Sequence, residues 1–373
     1  MISQKKNKEN KIRVGITHGD LNGINYEVII KALNDNRLFE MFTPVIYGLS
    51  KILSYNRKIL NFNDFNYKII RDARQAYNQK INIVNLSNDE IRIEYGKSTE
   101  AAGEFAYQAL EQAVKDLKDN KIDIVVTAPI NKAGIHSEKF NFPGHTEFFT
   151  KRFECEDSLM LMVHDQLKIG VVTGHVPLRE VVPAVNHELI TRKIKILNDS
   201  LIRDFDISRP KIAVLGINPH AGDQGLIGEE DDHIVSAAVI STKKSGLLVY
   251  GPFPADGFFG SDEYTKYDAI LAMYHDQGLI PFKTLAFDAG VNFTAGLPVV
   301  RTSPAHGTAY DKAGRNIASA KSMRESIYLA VNIFRQRKSY EEMTKNRLRT
   351  GLMDEYGNNR HSGETGELKK AED

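Results

Sequence analysis

The sequence predicts an α/β fold built on a mostly parallel sheet, and two observations carry that expectation. Short apolar, β-branched runs recur along the chain, and each ends abruptly in a loop holding Gly, Pro, His or Asp. Continuous apolar runs of this length suit strands buried on both faces. Between them apolar residues return at helical spacing, and strands alternating with helices imply a parallel sheet covered on both sides.

The strand-like runs, in chain order, are KIRVGITHGD at 11–20, TPVIYG at 43–48, KIDIVVTAPINK at 121–132, KIGVVTGHVP at 168–177, KIAVLGINPHAG at 211–222 and YDAILAMYHDQG at 267–278. Helical spacing appears at 101–117, where Phe105, Leu110, Ala113, Val114 and Leu117 fall roughly on one stripe, and again at 187–201 and 232–241. The 373 residues suffice for two lobes or one large α/β unit. No repeat, low-complexity insert or linker interrupts them, which suggests a chain that crosses between lobes more than once. The stretch 338–373 is charged and rich in Asn and Gly, and reads as a short helix followed by a solvated tail.

Composition excludes several function classes. Hydrophobic residues make up 42% and charged residues 26%, which is ordinary for a protein with a buried core. The 49 basic and 48 acidic side chains leave a net charge of +1, without the basic excess of a nucleic-acid-binding surface. The N-terminal MISQKKNKEN has no apolar segment behind it and fails as a signal peptide. No stretch approaches the ~18 apolar residues of a membrane span. A cytoplasmic enzyme, with neither membrane nor nucleic acid as partner, is the expectation. Cys155 is the single cysteine, so a disulfide within one chain and a cysteine-rich zinc site are both excluded. Any metal must use His, Asp or Glu.

Three histidines stand at strand ends: His175 in VVTGHVP, His220 in GINPHAG and His275 in AMYHDQG. One such residue would be an ordinary hydrogen-bonded loop histidine, but adjacent strand ends can bring three together. Three imidazoles with one position left open suit a catalytic divalent ion, with zinc first and other ions such as magnesium or cobalt as alternatives. Such an ion would serve an alcohol oxidation by lowering the pKa of a bound hydroxyl. The hydride would then need a cofactor to accept it.

The segment PFKTLAFDAGVNFTAGLPVVRT at 281–302 spaces Lys283, Asn292 and Arg301 nine residues apart in apolar surroundings. These are either three residues on solvated loops or a cradle for a phosphorylated or carboxylated substrate. FPGHTEFFT at 142–150 adds His145 and Thr146, the threonine being either a helix N-cap or an anion ligand. The early loop GITHGDLNG spaces its glycines by four, and G-x-G-x-x-G is absent from the chain. A standard dinucleotide fingerprint is therefore not supported.

TAPINKAGI at 127–135, FPGHTEF at 142–148, INPHAGDQGLIGEE at 217–230 and the long block MYHDQGLIPFKTLAFDAGVNFTAGLPVVRTSPAHGTAYDKAGRNIA at 273–318 together resemble the 4-hydroxythreonine-4-phosphate dehydrogenase family of pyridoxal phosphate biosynthesis. The resemblance spans about 12–330. It implies NAD- or NADP-linked oxidation of 4-phosphohydroxy-L-threonine, followed by loss of CO₂ to give 3-amino-2-oxopropyl phosphate. It matches His175, His220 and His275 to metal ligands, and His145, Thr146, Lys283, Asn292 and Arg301 to substrate-binding positions. It also implies a homodimer whose cleft is completed by the neighbouring subunit. The fold implied is that of the isocitrate and isopropylmalate dehydrogenases, with two α/β/α lobes sharing a central mixed, mostly parallel sheet and an active-site cleft between them.

On that pattern 11–128 with 283–340 form one lobe, 129–282 the metal-binding and dimer-forming lobe, and 341–373 the tail. SPAHGTAYDKAGRNIA at 303–318 resembles the adenine-side NAD loop, with His306, Gly307 and Asn316 as its candidates. Lys283, or alternatively Asp256 in GPFPADG, is the candidate proton acceptor. The first loop departs from the family's T-P-G-D-P-x-G-I-G, running Thr17-His18-Gly19-Asp20-Leu21-Asn22-Gly23-Ile24-Asn25. Two other readings are a sister dehydrogenase for another phosphorylated hydroxy acid and a phosphotransacetylase-like acyltransferase needing neither NAD nor metal.

Overall fold

Stiff β-branched side chains pack well on a pleated surface covered from both sides, and here they build twelve strands of a single sheet. The computed structural model describes residues 11–346, so the expected tail lies almost wholly outside the described residues. The strands are β1 (Ile12–Thr17), β2 (Phe42–Gly48), β3 (Tyr67–Ile70), β4 (Ile81–Asn85), β5 (Ile124–Thr127), β6 (Leu159–His164), β7 (Leu167–Thr173), β8 (Lys211–Leu215), β9 (Leu248–Phe253), β10 (Ala269–Tyr274), β11 (Val291–Ala295) and β12 (Val300–Pro304). Their order across the sheet is β3-β4-β2-β1-β5-β12-β11-β6-β7-β10-β8-β9. The six runs marked in the sequence are β1, β2, β5, β7, β8 and β10. The other six strands were not anticipated from the sequence. Two of them, β11 (VNFTA) and β12 (VRTSP), are interrupted by polar residues, at 292 and 294 and at 301–303, and form no continuous apolar run.

Eight of the eleven strand pairings are parallel. The antiparallel ones, β12–β11, β11–β6 and β6–β7, are consecutive in the middle of the sheet. The two flanking parallel sets therefore run in opposite directions.

The two faces of this sheet are covered differently. On one face the helices Asn25–Leu33, His187–Phe205, Ser236–Lys244 and Lys321–Thr344 share one apolar cluster that reaches from Val14 and Ile16 through Leu161 and Phe293 to Val214. On the other face the apolar cover is divided. The helix Glu100–Lys118 packs with Phe148 and Phe149 over Val45, Tyr47 and Val125, while Leu279 and Phe282 of the helix His275–Ala286 pack over Met160, Met162, Ile169 and Ile270. Strand alternation decides which residues enter the gap between these two groups. On β12, Val300 joins the continuous cluster and Thr302 bonds the carbonyl of Ser326 on that side (2.8 Å), so Arg301 and Ser303 face the gap.

Local signals set the helix ends. The helix expected at 101–117 runs Glu100–Lys118, with the Thr99 side chain accepting from Ala102 N at 3.3 Å as its cap. That expected at 187–201 runs His187–Phe205, capped by Asn186, and ends at a left-handed Asp206. The third is a π turn at Asp231–Val235 continuing into Ser236–Lys244. The short helix expected from 338 is instead the end of the 24-residue Lys321–Thr344, whose buried Met323, Ile327 and Val331 hold it against the sheet. Among the described residues no helix is long and apolar enough to cross a membrane.

Candidate active site

The gap in the apolar cover is a cleft of about 330 Å³. Met160 and Met162 of β6, Asn292 of β11, and Arg301 and Ser303 of β12 form its floor. Asn292 is paired directly with Met162 on one side and Ser303 on the other. The walls come from loops and helix ends: Pro129, Ile130 and Lys132 after β5, Gly144 to Thr146, His175 after β7, His275 and Lys283 on the helix after β10, and Pro304 to Gly307 after β12. Strand-end loops were the expected location, and they supply the walls. The floor is the face of antiparallel strands, because the two parallel halves meet there head to tail.

Nine of the twelve sequence candidates converge on this one cleft: His145, Thr146, His175, His275, Lys283, Asn292, Arg301, His306 and Gly307. None of Lys283, Asn292 and Arg301 is on a loop, since the nine-residue intervals carry the chain from helix to β11 to β12; Lys283 is exposed, Asn292 half-buried and Arg301 buried. Thr146 is not the cap of its helix: the helix is His145–Arg152, Gly144 occupies the cap position, and Thr146 sits in the first turn beside unpaired N–H groups.

Arg301 is 1% exposed. Its guanidinium donates to Thr127 Oγ1 (2.7 and 3.1 Å), Thr294 Oγ1 (3.1 Å) and Ser303 Oγ (2.9 Å), all neutral acceptors. Burial pushes its pKa down, and only the charge of Glu147 opposes the shift. A buried cation without a carboxylate against it is costly unless an anion is supplied. Burial, together with the charges of Arg301 and Lys132, holds the His145 imidazole well below its ordinary pKa. His145 is therefore neutral at neutral pH. Four buried polar atoms around the cleft have no partner: His145 Nε2, Glu147 Oε2, Asn292 Oδ1 and His306 Nε2. Buried polar groups are ordinarily satisfied, and a ligand in the cleft would give these four their partners.

The rings of His175 and His275 lie 5.5 Å apart, centroid to centroid. His175 Nδ1 sits 3.3 Å from Glu147 Oε1, and His275 Nδ1 sits 2.7 Å from Asp276 Oδ1. A carboxylate on Nδ1 is the usual device that leaves Nε2 of a metal-binding histidine free and oriented. Burial alone would raise the Glu147 carboxyl, but the hydrogen bond and charge of His175, with Lys132, outweigh it and hold the group ionised.

His220 does not join them. Its strand, β8, does neighbour β10, but the following loop is drawn aside by Asp231, whose carboxylate accepts from Ile217 N (2.7 Å) and Asn218 N (2.9 Å). His220 then sits exposed at a left-handed φ of 54°. Among the described residues no three His, Cys, Asp or Glu side chains are placed to hold one metal ion. The trio expected from the strand ends is, within one chain, a pair. Asp256 is also elsewhere, exposed in the first turn of the helix Ala255–Gly260 and lining a separate apolar cleft with Phe259 and Ile280. Asn316 lies outside the cleft at a left-handed φ of 58°.

The model of the family "Pyridoxal phosphate biosynthetic protein PdxA" matches residues 40–330. The chain belongs to the PdxA family. A 4-hydroxythreonine-4-phosphate dehydrogenase of Bacteroides thetaiotaomicron is 48% identical over 343 residues, covering 92% of this chain and 94% of the relative. A D-threonate 4-phosphate dehydrogenase of Cupriavidus necator is 37% identical over 318 residues, covering 84% and 95%. The solved structure of the Klebsiella pneumoniae 4-hydroxythreonine-4-phosphate dehydrogenase superposes with a TM-score of 0.74 at 36% identity, covering 87% of this chain and all of that one. These PdxA relatives are dehydrogenases, which removes the acyltransferase alternative.

Two charged residues in or beside the cleft were not singled out from sequence. Lys132 lies in the TAPINK loop, where burial lowers its pKa, and Glu147 follows Thr146. Their only sequence signal is a charge just beyond an apolar run or an aromatic cluster.

The departing first loop, by contrast, stays out of the cleft. His18 is fully buried, stacked on Tyr26 at 5.5 Å, with Nε2 3.2 Å from the Phe105 carbonyl. Burial lowers its pKa to about 4, against weaker opposing hydrogen bonds to the backbone of Phe105 and Gly19. The unfolded chain, with a histidine near its ordinary value, binds the extra proton first. His18 therefore contributes stability that is full above about pH 6.5 and is lost as pH falls to about 4, roughly 3 kcal/mol in all. A His18→Phe variant keeps the stack without the titration. Urea unfolding free energies should fall more steeply in this window for the native protein than for the variant, and parallel curves would dismiss the effect.

Proposed function

We propose that this protein is a 4-hydroxythreonine-4-phosphate dehydrogenase that oxidises the C3 hydroxyl of 4-phosphohydroxy-L-threonine with NAD or NADP as hydride acceptor. The product, 2-amino-3-oxo-4-phosphooxybutanoate, loses CO₂ to give 3-amino-2-oxopropyl phosphate. The observation that carries this reading is the fully buried Arg301, ringed by neutral hydroxyls on the cleft floor and lacking an anion.

Arg301 offers the substrate's phosphate or carboxylate its charge and the one N–H, on Nη1, that the three hydroxyls leave free. Lys283 faces the substrate from the wall, and Asn292 and the neutral His145 direct their unpartnered atoms to the substrate's polar groups. His175 and His275, each oriented by a carboxylate, would hold a divalent metal, with zinc first and magnesium or cobalt as alternatives. Such an ion supplies Lewis acidity at the reacting hydroxyl and, later, at the ketone. The hydroxyl proton passes to Lys283. It accepts as the neutral amine and becomes the ammonium ion. Asp256, in its separate cleft, is a poorer acceptor within one chain.

The exposed His220 is the third ligand in this scheme, delivered by a second copy of the chain in a homodimer. His306, Gly307 and Asn316 take the adenine side of the nucleotide. The enzyme acts in the cytoplasm.

Purified protein given 4-phosphohydroxy-L-threonine and NAD should produce reduced nicotinamide, followed by its absorbance. Chelator treatment should abolish the signal and added Zn²⁺, Mg²⁺ or Co²⁺ restore it. Relatives named D-threonate 4-phosphate dehydrogenase favour a comparison with that substrate. A higher kcat/KM for D-threonate 4-phosphate would move the assignment to the sister activity.

A further inference from the structure

We infer that the first loop, 17–25, positions the nucleotide-side loop that follows β12, and that the Asp20–Tyr310 hydrogen bond is its principal contact. The inference rests on the reading of His306 and Gly307 as cofactor-side residues given above.

His306 and Gly307 line the cleft, and the residues just after them are held from behind. Ile24 N donates to the Thr308 carbonyl at 3.1 Å. The Tyr310 hydroxyl donates to Asp20 Oδ2 at 2.7 Å. Asp20 is 2% exposed, and its other carboxylate oxygen accepts from Asn22 N at 2.8 Å. A hydroxyl on a buried carboxylate is among the stronger neutral-to-charged contacts. Gly23 comes so near that a Cβ there would stand 2.6 Å from the Thr308 carbonyl oxygen.

The first loop is itself anchored. Asp20 N donates to the Pro129 carbonyl at 2.9 Å, and Asn25 Nδ2 bridges the carbonyls of Pro129 (2.7 Å) and Asp20 (3.0 Å). Asn22 bonds Lys97 and Thr99 and accepts from Glu94 N. The helix that the loop leads into holds the far end of the nucleotide-side loop: Lys31 Nζ donates to the carbonyls of Asn316 (3.2 Å) and Ala318 (3.0 Å), and Ala318 N donates to Glu27 (2.8 Å). None of residues 17–25 lines the cleft that holds the substrate candidates. Asp20 and Asn25 reach the cleft wall only through the Pro129 carbonyl, so the departures at His18, Leu21 and Asn25 bear on the cofactor side more than on the substrate cradle. Asp20 and Tyr310 are positioning residues.

The test is Tyr310→Phe, with Gly23→Ala as an independent variant that presses on Thr308. Binding of ADP-ribose is measured by calorimetry without turnover, and KM for NAD and for the phosphorylated substrate are measured separately. In Tyr310→Phe the dissociation constant of ADP-ribose and KM for NAD should rise about tenfold, the loss expected for one hydrogen bond to a charged group. KM for the substrate should not change, and Gly23→Ala should show the same split. Native-like ADP-ribose binding in both variants would overturn the inference while leaving the cofactor assignment standing, as would a rise confined to the substrate's KM. Native protein that turns over with NAD but does not bind ADP-ribose would overturn the inference and the adenine-side assignment together. If Tyr310→Phe does not fold, Gly23→Ala decides by the same criteria.

Discussion

Arg301→Met is expected to lower kcat/KM about a thousandfold, chiefly through KM. Removing one partner of a buried, hydrogen-bonded charge pair costs about 2–5 kcal/mol, and about 4 kcal/mol corresponds to that factor. The same change should raise the thermal midpoint of the ligand-free protein. In the native chain the guanidinium is 1% exposed and bonded only to the hydroxyls of Thr127, Thr294 and Ser303. Its desolvation is offset only when an anion arrives, and methionine relieves that cost. A structural arginine would behave in the opposite way. A lower thermal midpoint with unchanged kinetics would remove Arg301 from the substrate cradle.

His275→Ala should lower kcat by about a thousandfold or more, because a Lewis acid at a reacting oxygen is worth several kcal/mol. Metal content per chain, measured after dialysis, should fall with it. His275 begins its helix and turns Nδ1 to Asp276 at 2.7 Å, so Asp276→Asn should give a milder loss of about 10–100-fold in metal affinity. Full metal occupancy in His275→Ala, with activity lost, would assign the imidazole a different task. Unchanged kcat would exclude it from the reaction.

How legible each candidate was follows from how local its signal is. β1, β2, β5, β7, β8 and β10 are predominantly apolar because both faces are covered, and a run of that kind is visible in one window of sequence. β11 and β12 are equally central, yet Asn292, Thr294, Arg301 and Ser303 break their apolar runs. Asn292, Arg301 and Ser303 floor the cleft and Thr294 bonds Arg301, so on these two strands the residues that hide the pattern are the ones that build the site.

The fold class, the family and nine of the cleft residues are legible in the chain alone. Each is a matter of residue type, spacing or extended motif along the chain. Which of those residues meet depends on the packing of strands and loops. His175 and His275 come together while Asp231 draws the His220 loop away; Asp256 and Asn316 fall outside the cleft; Lys132 and Glu147 enter its electrostatics. Those outcomes depend on strand order, on the reversal of direction in the middle of the sheet, and on side chains far apart in sequence. Periodicity reports which face of a strand is apolar, but not which strand lies beside it or where its following loop is pulled.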